Sequence, residues 1–289
     1  MKKKINLWQI DAFTPEPFHG NAAGVVFTDE LTSHEMQLIA SEMNLSETAF
    51  ISSSKKADYN LRWFTPTVEV NLCGHATIAS LHFLSESGKI KDGSITTFDT
   101  LSGIIKCRFE KGIYYMHLPV PKLFEYNSNR NEILEALGLN LNEIDSSFPF
   151  VYTDGGYVYI HLKSLNQLKS IKPNFNLLSQ LLKSKKEFDC ITVYTTETIE
   201  KNSSAHIRFF APNSGIDEDP VTGSANGPML MVLKHLKLIN ENTEDREFTF
   251  EQGDWIDRKG RVYVSYSEKK NDLYIAGNAV TVFKGELSF

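Results

Sequence analysis

Long apolar runs are missing from this chain of 289 residues. No stretch approaches the roughly 18 consecutive apolar residues of a membrane helix, which excludes a helical membrane protein. Cysteine is scarce. Cys73, Cys107 and Cys190 are odd in number and far apart, so they form neither a disulfide framework nor a clustered zinc site. None of the eight histidines falls in an H-E-x-x-H pattern, and no metal is expected. Excess positive charge is absent too. The formal net charge is −6, and lysines occur only in short runs such as residues 183–186, without the basic stripe that a nucleic-acid surface needs. Gly20-Asn21-Ala22-Ala23-Gly24 lacks the Lys-Ser/Thr ending of a phosphate loop. The N-terminal lysines are followed by apolar residues that Asn6, Gln9 and Asp11 interrupt too early for a secretory leader. Residues 1–10 therefore read as a first β-strand of a cytoplasmic protein that binds neither nucleic acid nor membrane.

What is present is an ordinary globular composition, 41% hydrophobic and 23% charged, enough for two lobes with cores of their own. The chain also repeats itself. Leu61-Arg62-Trp63-Phe64-Thr65-Pro66 returns as Ile207-Arg208-Phe209-Phe210-Ala211-Pro212, each reading as a strand stopped by proline. Each is followed by a loop, a Gly-led helix start (Gly74-His75-Ala76 and Gly223-Ser224-Ala225) and an apolar helical run. Thr97-Phe98-Asp99 and Thr249-Phe250-Glu251 then open matching strand series. Both long helices are apolar on more than one face, which marks them as buried. The pattern predicts an α+β fold of two pseudo-symmetric lobes, each a sheet curled around a central helix. Residues 1–118 form the first lobe, rejoined by a last strand at 278–289, and residues 119–277 form the second.

Pseudo-symmetric lobes place ligands where they meet, and the two helix starts are the natural candidates. A helix start offers unpaired N–H groups and the positive end of its dipole. Each start alone reads as an ordinary N-terminus; the two together favour a clamp for a carboxylated substrate. Three acids, Asp217, Glu218 and Asp219, stand just before the second start. They suit a solvated dipole complement, although Asp219-Pro220 would hold one carboxylate in a fixed turn. His75 at the head of the first helix would stay neutral and could donate a hydrogen bond or relay a proton, though a lone histidine is as well a structural one. Thr32 and Glu35 are spaced as a capping box for a helix to Met43, which Asn44 ends. Glu47 follows, at the entry to a strand. It reads either as an exposed glutamate or, among Leu45, Ala49 and Phe50, as a partly buried acid/base.

These segments together resemble the phenazine-biosynthesis PhzF-like family, which has the diaminopimelate-epimerase-like fold. The pieces are Asp11-Ala12-Phe13-Thr14 with Phe18-His19-Gly20-Asn21-Ala22-Ala23, Asn44 to Phe50, Arg62 to Pro66, Leu72 to Thr77, Arg208 to Pro212, Glu218 to Ala225, and Gln252-Gly253. The resemblance implies two lobes, each a mixed sheet around a helix, and a cofactor-independent isomerase. It implies Glu47 as the acid/base that removes a proton at one carbon and returns it at another, with His75 and Asp219 as its catalytic partners. Gly74, Ala76, Gly223, Ser224 and Ala225 would bind a small carboxylated, amino-acid-like substrate, and the active form would be a homodimer. Asn226 stands where many relatives carry His, Asn71 departs from the usual residue, and Arg258-Lys259-Gly260-Arg261 matches only loosely. These departures bear on the substrate rather than on the proton chemistry, and phenazine synthesis itself is not implied.

Two other functions compete. A two-cysteine racemase or epimerase needs thiols on both sides of the substrate. Cys73 aligns with Thr222, and no cysteine lies near Gly223. A non-catalytic small-molecule binding protein would keep the fold and cleft without the proton chemistry.

Overall fold

A computed structural model describes residues 3–239, 242–244 and 246–289. The chain divides into two compact units, Met1–Leu118 with Tyr274–Phe289, and Pro119–Leu273.

In the first unit the chain runs β1 (Lys4–Ala12), β2 (Asn21–Phe27), α1 (Ser33–Met43), β3 (Glu47–Ser52), β4 (Tyr59–Phe64), β5 (Glu69–Val70), α2 (Gly74–Glu86), β6 (Ile95–Thr100), β7 (Gly103–Glu110) and β8 (Ile113–Leu118). β2 pairs antiparallel with β1 and parallel with β3. β4 lies antiparallel to β3 and β5 and parallel to β6, and β6, β7 and β8 form an antiparallel meander. The closing strand Ala279–Ser288 lies antiparallel on the free side of β1. α2 packs against β1, β2, β3 and β8. Ten of its residues, from Gly74 to Leu84, are buried, which is what its all-round apolar character requires. Burial of Ile78, Leu81, Phe83 and Leu84 contributes about 1.5–3 kcal/mol each. The two buried hydroxyls of α2 are satisfied within the helix: Thr77 donates to the Cys73 carbonyl at 2.6 Å and Ser80 to that of Ala76 at 2.7 Å.

α1 is built as its spacing predicts. The Thr32 hydroxyl accepts from the Glu35 N–H, the Glu35 carboxylate accepts from the Thr32 N–H, and Asn44 ends the helix in the left-handed region at φ 49°. That left-handed residue turns the chain toward β3 and fixes where Glu47 begins.

The second unit runs β9 (Leu123–Tyr126), α3 (Arg130–Leu137), β10 (Phe150–Thr153), β11 (Tyr157–His161), α4 (Leu165–Ser170), α5 (Phe175–Ser184), β12 (Cys190–Thr195), β13 (Ser203–Ala211), a short turn of helix at Pro212–Ser214, β14 (Ile216–Asp219), α6 (Gly223–His235), β15 (Glu247–Gln252) and β16 (Gly260–Ser267). Its pairing repeats that of the first unit strand for strand. β10–β11 is antiparallel, β11–β12 parallel, β12–β13 and β13–β14 antiparallel, β13–β15 parallel and β15–β16 antiparallel. β9 lies antiparallel on β10 just as Ala279–Ser288 lies on β1. α6 is the counterpart of α2, with nine buried residues. It carries an internal proline, Pro228, which the apolar pattern does not reveal. α3 and α5 cover the other face of this sheet through Ile133, Leu134, Leu178 and Leu182.

One local expectation is corrected. The acids at 217–219 are not a solvated loop. Ile216–Asp219 is a strand, paired through Phe209↔Asp219 and Ala211↔Ile216. The strand aims its acids apart: Asp217 is exposed, Glu218 binds Arg208, and Asp219 is 6% exposed.

Candidate active site

Each central helix begins after a short hairpin that a charged pair ties down. In the first unit the Arg62 guanidinium grips Glu69 through two bonds of 2.7 Å and lies 5.1 Å from the centre of the Phe64 ring. In the second, Arg208 grips Glu218 at 2.8 and 2.7 Å and lies 5.2 Å from Phe210. Glu69 holds the Arg62 guanidinium above its usual pKa. Bidentate Arg–carboxylate pairs fix geometry as well as charge. The arginines are visible in the sequence repeat; their glutamate partners, on β5 and β14 at unequal spacings from the arginines, are not.

Side chains cap α1, α4 and α5 (Thr32, Ser164 and Asn174), whereas α2, α3 and α6 carry no side-chain cap. Cys73 and Thr222 occupy the capping positions in extended backbone. Gly74, Ala76, Gly223 and Ala225 are buried, and Ser224 is half-buried. An uncapped helix start leaves N–H donors and positive dipole available to an anion.

At the start of α2 three reactive side chains meet. Glu47, first residue of β3 and paired with Ala23, brings Oε2 to 3.3 Å from Nε2 of His75. On the other side of the ring the Cys73 sulfur lies 3.5 Å from Nδ1. The His75 side chain is 6% exposed and that of Glu47 13%. Burial pushes the imidazole down to about 3, so the ring is neutral at physiological pH. This is the neutrality expected from the sequence, but its cause is desolvation. A neutral ring carries one N–H. Nε2 stands within ion-pair range of the carboxylate without the geometry of a hydrogen bond, and the Cys73 sulfur is the hydrogen-bonding neighbour of Nδ1. One donor atom from each of Glu47, Cys73 and His75 lies within 4.8 Å of the other two, although no metal-ligand spacing is legible in the sequence. The preceding segment has its own strain: Phe13 and Phe18 sit at φ 64° and 69°. The Asp11 carboxylate accepts from the Phe18 N–H at 2.7 Å, and the segment leads to Asn21, which faces Ser46.

At the start of α6 the arrangement is different. The Thr222 hydroxyl donates to the Asp219 carboxylate at 2.5 Å. The Gln252 amide spans this corner, donating to the Asp219 carbonyl at 2.9 Å and to the Thr222 hydroxyl at 3.1 Å. Its oxygen accepts from the Thr222 N–H at 3.0 Å and from the Asn226 amide at 2.7 Å. All four residues are buried. Gly253 lets the chain pass: a Cβ there would lie 2.7 Å from the Pro220 carbonyl oxygen and 2.4 Å from that of Arg258, at φ 84°. Ser224 accepts from the Tyr157 hydroxyl at 3.1 Å, and the Ala225 carbonyl from Tyr159 at 2.9 Å.

The sequence-based residues thus fall into two groups: Glu47, Gly74, His75 and Ala76 in the first unit, and Asp219, Gly223, Ser224 and Ala225 in the second. Sequence reasoning missed Cys73 as a neighbour of His75, and missed Thr222 and Gln252 as the holders of Asp219. Asn226 had attracted notice only as a departure from relatives.

Comparison with known proteins agrees with this architecture. The phenazine biosynthesis-like protein family (PhzC-PhzF) matches residues 10–285. An uncharacterized isomerase of Clostridium acetobutylicum is 39% identical over 304 aligned positions, covering 99% of each chain. A Bacillus anthracis protein of the PhzF family, solved by crystallography, superimposes with a TM-score of 0.89 at 33% identity over 99% of both chains. A hydroxyproline epimerase from Agrobacterium vitis shares the fold alone, at a TM-score of 0.58 and 11% identity. No helix among the described residues is long and apolar enough to cross a membrane. The chain belongs to the phenazine biosynthesis-like (PhzC-PhzF) family of isomerases.

Proposed function

We propose that this isomerase moves a proton between two carbons of a small carboxylated, amino-acid-like substrate without a cofactor, with Glu47 as the acid/base. The observation that carries the reading is the Glu47 carboxylate 3.3 Å from a buried, neutral imidazole at an uncapped helix start. The Glu47 carboxylate takes a proton from a substrate carbon. The electron pair left behind delocalises toward the substrate carboxylate or an adjoining double bond, and the same proton returns from Glu47 to another carbon. His75 stays neutral beside Glu47, so the carboxylate is the member of the pair that takes the proton and gives it back. N–H groups after Gly74 bind the substrate carboxylate and the negative charge that develops on it, and those after Gly223 offer an anion site of the same kind in the second unit. Asp219, fixed by Thr222 and Gln252, is the second positioned carboxylate and serves to orient the substrate or to exchange a proton with it.

The test is incorporation of solvent deuterium into small carboxylated amino acids, cyclic and unsaturated ones included, by the wild type and by Glu47→Gln. Loss of a positioned acid/base lowers exchange about 10²–10⁴-fold, and carboxylate binding persists in the variant. Equal exchange by both proteins overturns the assignment. Binding without exchange by the wild type would favour a non-catalytic carrier. A two-thiol racemase has less support, because the position equivalent to Cys73 holds Thr222, whose hydroxyl is bonded to Asp219.

A further inference from the structure

We infer that Glu47, Cys73 and His75 form a binding site for a zinc-type divalent ion. The site shares residues with the proposed isomerase centre but does not rest on that function. Its donor set is one carboxylate oxygen, one thiol sulfur and one imidazole nitrogen, within 4.8 Å of one another. A tetrahedral zinc with bonds of about 2.0–2.3 Å holds its ligand atoms about 3.4–3.6 Å apart. The carboxylate-to-ring and sulfur-to-ring separations here are 3.3 and 3.5 Å. Glu47 and Cys73 face different ring nitrogens, and a ring offers an ion only one. Ligation therefore asks one of these two side chains to turn toward the ring nitrogen that the other faces. Mixed sulfur, nitrogen and oxygen ligation suits Zn²⁺ or Co²⁺; magnesium and calcium require oxygen ligands. Three protein ligands leave a fourth position for water, and Glu47 retains 13% of its side-chain exposure, so the ion has an entry. Binding replaces the sulfur–proton bond of Cys73 by a sulfur–metal bond and releases that proton to solvent.

The internal repeat supplies a natural control. Thr222 stands for Cys73 and Ser224 for His75. Thr48 pairs with Phe64 and Ile191 with its counterpart Phe210, so Cys190 stands for Glu47. The second helix start keeps the backbone and lacks the donor set.

Cobalt titration of the purified full chain tests the inference without any substrate. Co²⁺ should bind one per chain and give a thiolate-to-cobalt charge-transfer band in the near ultraviolet, with visible bands of four-coordinate intensity. Zn²⁺ should abolish both. Cys73→Ser should lose the near-ultraviolet band. The double variant Cys107→Ala with Cys190→Ala, whose one remaining thiol is Cys73, should keep it, and this arm stands even if Cys73→Ser fails to fold. No band in the folded wild type, a band that survives Cys73→Ser, or its loss from the folded double variant each overturns the site. The exchange experiment on metal-free protein decides the role of Glu47 separately.

Discussion

The two helix starts are the same backbone used for different chemistry. Both follow an Arg–Glu clamp, both begin with glycine, and neither is capped by a side chain. At the first start, Glu47 is held against His75 and Cys73, groups that can exchange protons. At the second, the equivalent positions carry a threonine, a serine and Cys190, whose thiol burial pushes well above its ordinary range. The acid there is Asp219, which arrives from β14 and is fixed by a neutral amide and hydroxyl network. A duplicated scaffold thus keeps an uncapped, Gly-led start in each half, while the Glu–Cys–His cluster occurs at the first alone among the described residues. On the proposed function, the first start handles the mobile proton and the second holds Asp219 in position.

The clamps are where the two halves should separate most in stability. The Arg208 and Glu218 side chains are 9% and 14% exposed, and Arg208 also donates to the Leu168 and Ile171 carbonyls at 3.1 and 2.9 Å. Arg208→Ala strands a buried carboxylate and two carbonyls and should cost about 3–5 kcal/mol in denaturant unfolding. Arg62 and Glu69 are 24% and 22% exposed, so Arg62→Ala should cost about 1–3 kcal/mol. Equal losses would mean that the clamps are not graded by burial.

The network at the second start gives the next largest effect. Gln252→Leu leaves the Thr222 N–H and the Asn226 amide without their acceptor and removes the donor to the Asp219 carbonyl. It should cost about 1–3 kcal/mol and raise KM more than it lowers kcat, because it loosens positioning rather than proton transfer. The opposite split would move the proton chemistry toward Asp219.

Acid should distinguish the halves more finely. The His75 pKa is depressed to about 3 by burial. The folded state then binds fewer protons than the unfolded chain below about pH 6.5, so stability is full above that pH and falls as pH drops toward 3. Glu251 behaves differently. Burial alone would raise its pKa, but hydrogen bonds from His206 and from the Ile199 and Glu200 N–H groups outweigh burial and hold it down to about 2. Its contribution is complete above about pH 4.5 and is lost as pH falls toward 2. In urea unfolding across pH, His75→Asn should flatten the wild-type decline between about pH 6.5 and 4.5, and Glu251→Gln should flatten only the part below. A His75→Asn profile parallel to wild type would show that the ring is not held neutral.

Legibility followed the range of the interaction. The α1 capping box and its Asn44 stop could be read from sequence because their partners are three or four residues apart. The repeat, and with it both buried helices, could be read because burial on all sides leaves a continuous apolar run. The local context of Glu47 left it either exposed or a partly buried acid/base, and family resemblance favoured the second; its contact with His75 spans two strands, a hairpin and a helix start. The Asp219–Thr222–Gln252–Asn226 corner was not readable, since Gln252 arrives from β15 and a lone Gln-Gly carries no contact information. The acids of β14 misled because three consecutive charges resemble a solvated loop, whereas pairing with β13, with a register shift, buries Asp219 and brings Glu218 to Arg208.

The central claim is that the proton-moving carboxylate is held against an imidazole kept neutral by burial. A pH titration of ¹⁵N-labelled His75, assigned by comparison with His75→Asn, tests this most directly. The account requires a neutral ring through pH 5, with protonation only near pH 3. A ring that gains its second proton near pH 6.5, as an exposed histidine does, would contradict it.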